Sequence, residues 1–579
     1  MSYKKAFWVV LPSLLLCMSQ ADAQRKGKTK AKPKTEKKAS TSKKATTKPK
    51  EDLLPDNSQD RTVNITSAFT PTLRESSKIN LNGTPTLPSQ ATPGLNYNVP
   101  AQNLFFPYAP GALRPLSLNE KYENPWKKDG FIKLGYGNYN TPYGEAGLSF
   151  GDGINSSFAI HAKHVSSKGP IIDQKYAQTN VDLNGVLNVG SNNELSGKLY
   201  YDNNRNRAYG IREDDRALYN SDSSKLFYNN YGIKLKLRNK AENDAGIDYS
   251  PSLAINHFSN NWNSNESSLY VDAPISKQIG DNFAINLGFT ADITQFNRKD
   301  SAKINNNIYY VRPALSYKTD NVYIKAGFTP SWNNGNYKFL PDIQAEAKIK
   351  DERFVVQAGF TGYYEKNTYQ SLVAFNPWIN TPNELQNNRA REFYGGLKGS
   401  IGSHLTYNAK LSYITYYNHA LFANDSLLGN RFNVMYEPKM NDLRIHAELG
   451  YKVAETFSVL AGMSINQYSN LDSSAKAFGL LPLELNGSMR WKVYKNIWVK
   501  SDVNFWNGTW GLDANQEPIK MKAVADWDAG LEMGLTNHWS VWLQVNNILN
   551  NKYQRWNQYQ SLGTNVMGGI IYNFDLSKK

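Results

Sequence analysis

From about Gly130 to its C-terminus, this 579-residue chain repeats long segments in which apolar and polar side chains alternate. The clearest is Asn282 to Phe296. Phe283, Ile285, Leu287, Phe289, Ala291 and Ile293 fall on one face, and Asn282, Asn286, Gly288, Thr290, Asp292 and Thr294 on the other, because strand side chains alternate with period two. Tyr231, Ile233, Leu235 and Leu237 stand in the same way against Gly232, Lys234, Lys236 and Arg238, as do Trp539, Val541, Leu543 and Val545 against Ser540, Gln544 and Asn546. A soluble sandwich also alternates, but its strands average about five or six residues. Segments of ten or more ask for lipid on one side and water on the other.

Composition agrees. Hydrophobic residues make up 40% and mean hydropathy is -0.59, too polar for a helical membrane protein, yet there are 36 Tyr, 24 Phe and 13 Trp. We count 22 candidate strands, with tight connections after every second one at Gly151-Asp152-Gly153, Gly190-Ser191-Asn192, Ile279-Gly280-Asp281, Lys318-Thr319-Asp320, Lys350-Asp351-Glu352, Gly402-Ser403-His404, Ala454-Glu455, Tyr494-Lys495-Asn496 and Thr536-Asn537-His538. Long connections fall between them, around 204–222, 366–388, 419–428, 508–518 and 551–561. The expected fold is all-β: a transmembrane antiparallel β-barrel over 129–579, with even strand number, short turns at one end and longer loops at the other.

What precedes the barrel has three textures. Lys4 and Lys5, the apolar stretch Ala6 to Met18 and then Ala21-Asp22-Ala23 read as a signal peptide over 1–23, cleaved after Ala23. The stretch is too short to span a bilayer as a helix. The single Cys17 lies within it, and Leu14-Leu15-Leu16 lacks the small residue that lipidation asks for. Residues 24–50 form a Lys-rich arm with no aromatic residue, expected to be disordered. Arg25 to Lys50 carries twelve Lys or Arg and one acid, a net +11, which leaves +5 of the total +16 for everything else. The barrel is therefore near balance, and nucleic acid is not an expected partner. Residues 51–128 read as an extended periplasmic or lumen-occluding segment, with Leu104, Phe105, Phe106 and Tyr108 as the candidate occluding anchors.

Val545-Asn546-Asn547-Ile548-Leu549-Asn550-Asn551-Lys552-Tyr553, then Gly563 and the strand Gly568 to Phe574, resembles the closing hairpin of TonB-dependent outer-membrane receptors. The resemblance implies a Gram-negative outer-membrane location, transport or ligand uptake, contact with outer-membrane lipids, and a final strand whose Tyr572 and Phe574 are read by the barrel assembly machinery. It also implies a folded plug of well over a hundred residues before strand one, for which 51–128 leaves no room. The chain thus looks like a plug-lacking relative of the Bacteroidetes type. Thr62-Val63-Asn64-Ile65-Thr66 is only faintly similar to the box that contacts TonB, so energised transport does not carry over. A non-transporting scaffold that supports assembly or secretion of other surface proteins stays open as the alternative.

Nothing points to an enzyme, a cofactor or a metal. His161 and His164, three apart on a strand, face opposite sides, and no Gly-x-Ser-x-Gly, His-Glu-x-x-His or phosphate-loop pattern occurs. If the barrel holds 22 strands, its lumen needs an obstruction: the 51–128 segment, inward-folded loops or another protein.

Overall fold

The computed structural model describes residues 129–575, except 154, 241, 242, 244 and 300. The signal peptide, the arm and the candidate anchors Leu104, Phe105, Phe106 and Tyr108 lie outside the described residues. Twenty-three hydrogen-bonded segments form one antiparallel sheet, and two of them, Ile247–Tyr249 and Ser252–Asn260, both pair with Asn265–Ile279 as halves of one strand. The ring therefore has 22 strands. It closes where the first, Gly130–Gly137, pairs with the last, Asn565–Phe574, from Gly130↔Phe574 to Gly137↔Met567. Closure leaves no edge, which a sheet in hydrocarbon requires because each unpaired backbone group would cost several kcal/mol, on the order of a lost hydrogen bond in apolar surroundings. Packing at the seam is close: a Cβ at Gly130 would stand 2.3 Å from the Phe574 ring, so glycine is the residue that fits.

Alternation sorts the wall into two faces. Phe283, Ile285, Leu287 and Phe289 are exposed on the outside, as are Tyr231, Ile255, Leu411, Ile445 and Leu543. The inner face is polar and paired. Arg238 binds Glu194 at 2.8 Å, Lys325 Asp342 at 2.6 Å, Lys398 Glu346 at 2.6 Å, Lys410 Glu392 at 2.6 Å and Arg444 Asp442 at 3.0 Å, and Arg312 is joined to Asp272. Lys234, Lys236 and Arg238 stand on this inner side, opposite in phase to Ile233, Leu235 and Leu237, as the cost of a charge in lipid demands.

The two ends differ. At the end that carries Asp129 and Asp575 every connection is short, the longest joining Asn239 to Ile247. The opposite end carries the long loops, at 208–224, 366–387, 418–439, 470–482, 507–523 and 547–564. The alternation of short and long is looser than the sequence reading has it. Three loop-end connections are tight: those at 138–140 and 261–264, and Asn334-Gly335, with φ of 49° and 83°, the double left-handed turn that Asn-Gly favours.

Candidate functional site

The loops do not project separately; they fold together. Near the start of loop 366–387 stands Thr368, whose hydroxyl accepts from Ser371 N at 3.0 Å while Ser371 Oγ accepts from Thr368 N at 2.8 Å. This reciprocal cap starts the short helix Tyr369–Phe375. The wall then holds that helix. Buried Glu266, on an inner strand position, accepts from Tyr369 N at 2.6 Å and Gln370 N at 3.1 Å; Asn260 donates to Tyr369 Oη at 2.8 Å, and Asn256 to Gln370 Oε1 at 2.8 Å. Lys366, just before it, is tied to Asp292.

Beyond the helix the chain crosses the mouth. Tyr228 donates to the Pro377 carbonyl at 2.9 Å, and Trp378 Nε1 to the Arg207 carbonyl at 2.9 Å. The Trp378 ring stacks on Tyr559 with centroids 3.8 Å apart, and Tyr209 meets Tyr559 edge-on at 5.0 Å. Phe432 packs against Trp556 at 5.2 Å, and Phe375 against Phe422 at 4.9 Å. Tyr209, Trp378, Phe422, Phe432, Trp556 and Tyr559 are all buried. Each such aromatic contact contributes about 0.5–1.5 kcal/mol beyond the area it removes from water.

The polar groups of these loops pair over the same distance. Asn430 donates to the Ala208 carbonyl at 3.0 Å, Tyr559 Oη to the Asn430 carbonyl at 2.5 Å, Tyr209 Oη to the Gln560 carbonyl at 2.8 Å, and Arg431 to the Ser223 carbonyl at 3.0 Å. Loop 208–224 joins the fifth and sixth strands of the ring, and loop 418–439 the fifteenth and sixteenth. Ten strands apart in a ring of 22, they leave the wall at nearly opposite points. Their meeting places a packed cap over the mouth.

A second lobe continues it. The hairpin His419–Asn424 with Phe432–Glu437 lies within loop 418–439, and Phe422 N donates to the Phe478 carbonyl at 3.1 Å. Buried Glu437 accepts from Asp472 N at 2.6 Å, Ser473 N at 2.9 Å, Ser473 Oγ at 3.0 Å and Ser474 N at 2.8 Å. Burial alone would raise its pKa, but the Ser473 and Ser474 donors hold the carboxyl below its ordinary value. Arg555 donates to the Gly479 carbonyl at 3.0 Å and lies over the Trp556 ring at 4.5 Å, which ties loop 547–564 to loop 470–482.

Tyr572 and Phe574 stand on the outer face of the last strand, with Tyr572 against Trp539 at 4.7 Å and Phe574 at 6.1 Å. They lie at the opposite end of that strand from the cap and share no contact with it among those described. His161 and His164 separate as their spacing requires: His161 is inside, 2.8 Å from Glu145, and His164 is outside, 2.8 Å from Thr179. No group of His, Cys, Asp and Glu among the described residues is arranged to hold a metal. Sequence reasoning did not single out the cap residues. The available signal was bulky aromatics such as Trp378, Trp556 and Tyr559 within Asn-rich loops, where solvated segments have little use for them.

Solved structures share this architecture. A ferripyoverdine receptor, FpvA of Pseudomonas aeruginosa, superposes with a TM-score of 0.57 at 14% identity, covering 77% of this chain and 72% of that one. The ferric enterobactin receptor PfeA of the same organism gives 0.57 at 10%, with 77% and 80% covered. The FrpB iron transporter of Neisseria meningitidis gives 0.59 at 10%, with 77% and 81% covered. At such identity the likeness is one of fold. No family model matches the chain, and no curated protein does. The fold is that of TonB-dependent outer-membrane receptors.

Proposed function

We propose that this chain is an outer-membrane barrel for ligand uptake whose own loops, in place of a folded plug domain, form the gate. The observation that carries this reading is the cap: loops from nearly opposite sides of the ring meet in a buried aromatic core and are pinned to inner strand positions by Glu266, Asn256, Asn260 and Tyr228. Beneath it lies a wall of paired charges, suited to a wet passage. The receptor fold supports an outer-membrane location, with the loops outward and both barrel termini periplasmic. The ligand meets the cap from outside.

The same reading assigns residues 1–23 to export, 24–50 to a solvated tether, and Leu104, Phe105, Phe106 and Tyr108 to a second obstruction on the periplasmic side. Tyr572 and Phe574 serve as the assembly signal. Planar-bilayer recording tests the gate. Wild-type protein should be nearly silent, and Trp378→Ala combined with Tyr559→Ala should conduct, more so when 70–128 is also deleted. A variant whose loops become protease-sensitive, with both obstructions removed, and which still passes no current would refute uptake and favour the scaffold reading. Partner proteins co-purifying with wild type in mild detergent would then be its signature.

A further inference from the structure

We infer that the outer face of the third to seventh strands is a seat for a phosphate-bearing lipid of the leaflet at the loop end. This depends only on the barrel and its lipid face, not on the uptake reading. The strands are Ser156–Lys168, Lys175–Val189, Asn193–Arg207, Lys225–Asn239 and Ser252–Asn260. Their outward side chains form rows, because cross-strand partners share a face. An open apolar groove runs over Val181, Leu183, Leu199, Tyr201, Ile233 and Ile255.

Toward the loop end the rows change character in order. The row Val181↔Tyr201↔Tyr231↔His257 ends the groove. The next, Thr179↔Asn203↔Asn229↔Ser259, is all amide and hydroxyl; Tyr201 Oη donates to Asn229 Oδ1 at 3.1 Å, Asn203 Nδ2 donates to the same oxygen at 2.7 Å, and His164 Nδ1 lies 2.8 Å from Thr179 Oγ1. Above it Arg205 pairs with Phe227, the guanidinium 5.5 Å from the ring and its Nε on Asn203 Oδ1 at 3.1 Å. Last come two like-charged pairs, Lys168↔Lys175 and Arg207↔Lys225. Like charges directly opposite one another are destabilising unless an anion lies between them.

The charge is one-sided. These strands carry three acids, Asp182, Glu194 and Asp202, and all three face inward. Lys175 reaches Asp173 at 3.4 Å and Lys225 reaches Asp222 at 2.6 Å, both in loops, whereas Lys168 and Arg205 have no acidic partner among the described residues. The outward side chains at the turn end of the same strands, including Phe158, Leu187, Leu195 and Leu237, are uncharged. An apolar trough, then Tyr and His at the interface, then amide donors, then cations, follows the order of acyl chain, glycerol or sugar, and phosphate.

The test uses delipidated full-length protein in mild detergent, offered equal amounts of diphosphorylated lipid A and phosphatidylcholine, with bound lipid read by native mass spectrometry. Lipid A should be retained selectively. At the effect of two cations near an anionic surface, Lys168→Ala with Arg205→Ala should lower that retention about thirtyfold. Lys168→Arg with Arg205→Lys should restore it, and Val181→Trp, which fills the trough, should lower it. Heat-modifiable mobility confirms that each variant is folded. Equal retention of the two lipids, unchanged retention in the double variant, or displacement of lipid A by millimolar inorganic phosphate would overturn the assignment. So would a protein copy or partner occupying the trough in place of lipid.

Discussion

The two ends of this barrel solve one problem, the satisfaction of backbone outside the sheet, by opposite means. At the turn end the partners are neighbours in sequence. Asp152 Oδ1 accepts from Asn155 N and Ser156 N at 2.8 and 2.7 Å, Asn243 Oδ1 from Ile247 N at 2.9 Å, Thr319 Oγ1 from Val322 N at 3.0 Å, and Thr536 Oγ1 from Trp539 N at 3.0 Å. Short Asx and hydroxyl turns of this kind need no tertiary help. At the loop end the partners are remote. Asn430 and Ala208 are 222 residues apart, Tyr209 and Gln560 351, and Tyr228 and Pro377 149. Local turns need only the two strands they join, whereas the cap needs loops from nearly opposite points of the ring, so closure of the ring is expected to precede it.

That ordering can be broken most completely at the seam. Truncation before Tyr572 removes the Tyr572 and Phe574 pairings to Ile132 and Gly130 and leaves an unpaired edge in lipid. No heat-modifiable barrel should form, and the cap should be absent with it, whereas removal of 576–579 alone should permit both. A truncated chain that folds normally would show that closure does not depend on this strand.

Next in size is the cap itself, which should fail without the barrel failing. Trp378→Ala removes a buried indole, a change that costs about 3–5 kcal/mol at such sites, and Tyr559→Ala removes the ring stacked on it. Limited proteolysis should then cut within 366–387 and 547–564, while the heat-modifiable shift of the barrel persists. Simultaneous loss of both would mean that cap and wall are one cooperative unit.

The same contrast explains what was legible in the sequence. Period-two alternation is a local signal, so the strands, their number and the lipid face follow from Phe283, Leu287 or Ile233 and their neighbours. The cap is written in pairings far apart along the chain. Ala477-Phe478-Gly479-Leu480-Leu481 is an apolar run that local reading cannot separate from strand, and the connection 470–482 was missed among the long ones; here Phe478 and Leu480 pack inside the second lobe. The connection from Asn239 to Ile247 was also missed, since the chain there leaves one strand and enters another broken at Pro251. The Asn-Gly turn at 334–335 is absent from the tight connections read from the sequence, and nothing local says which end of the barrel it occupies.

A charge placed on the wall sharpens the difference between its faces, with an effect smaller than loss of the cap. Leu287→Lys puts an ammonium on the lipid side and should cost about 2–4 kcal/mol near mid-bilayer. Asn286→Lys, one residue away and facing the lumen beside Ser316, should cost far less. Equilibrium unfolding in urea from lipid vesicles compares them. Equal losses would show that the alternation does not separate lipid from water at this strand.

The smallest expected effect is a pH response confined to the loop end. His419 opens the cap hairpin, its ring 4.6 Å from that of Tyr416, and its Nδ1 has no hydrogen-bond partner among the described residues. Burial, with the Arg444 guanidinium adding to it, pushes its pKa down from 6.5 to about 3. In the closed cap His419 therefore stays neutral where an exposed histidine takes up a proton. An opened cap binds more protons than a closed one between about pH 6.5 and pH 3, so closure weakens as pH falls through that window. At pH 5.5, one unit below the exposed value, the open fraction should rise about tenfold. Glu437, held below the ordinary carboxylate range, stays ionised there and does not confuse the reading. Single-channel recording at pH 7.0 and 5.5 should show wild-type openings becoming more frequent, while His419→Gln, which cannot take up the proton, should show no such rise. The turn end, whose connections pair with sequence neighbours, should keep its proteolytic resistance at both pH values. An equal pH response in His419→Gln would place the sensitive group elsewhere and remove this histidine from the account of the cap.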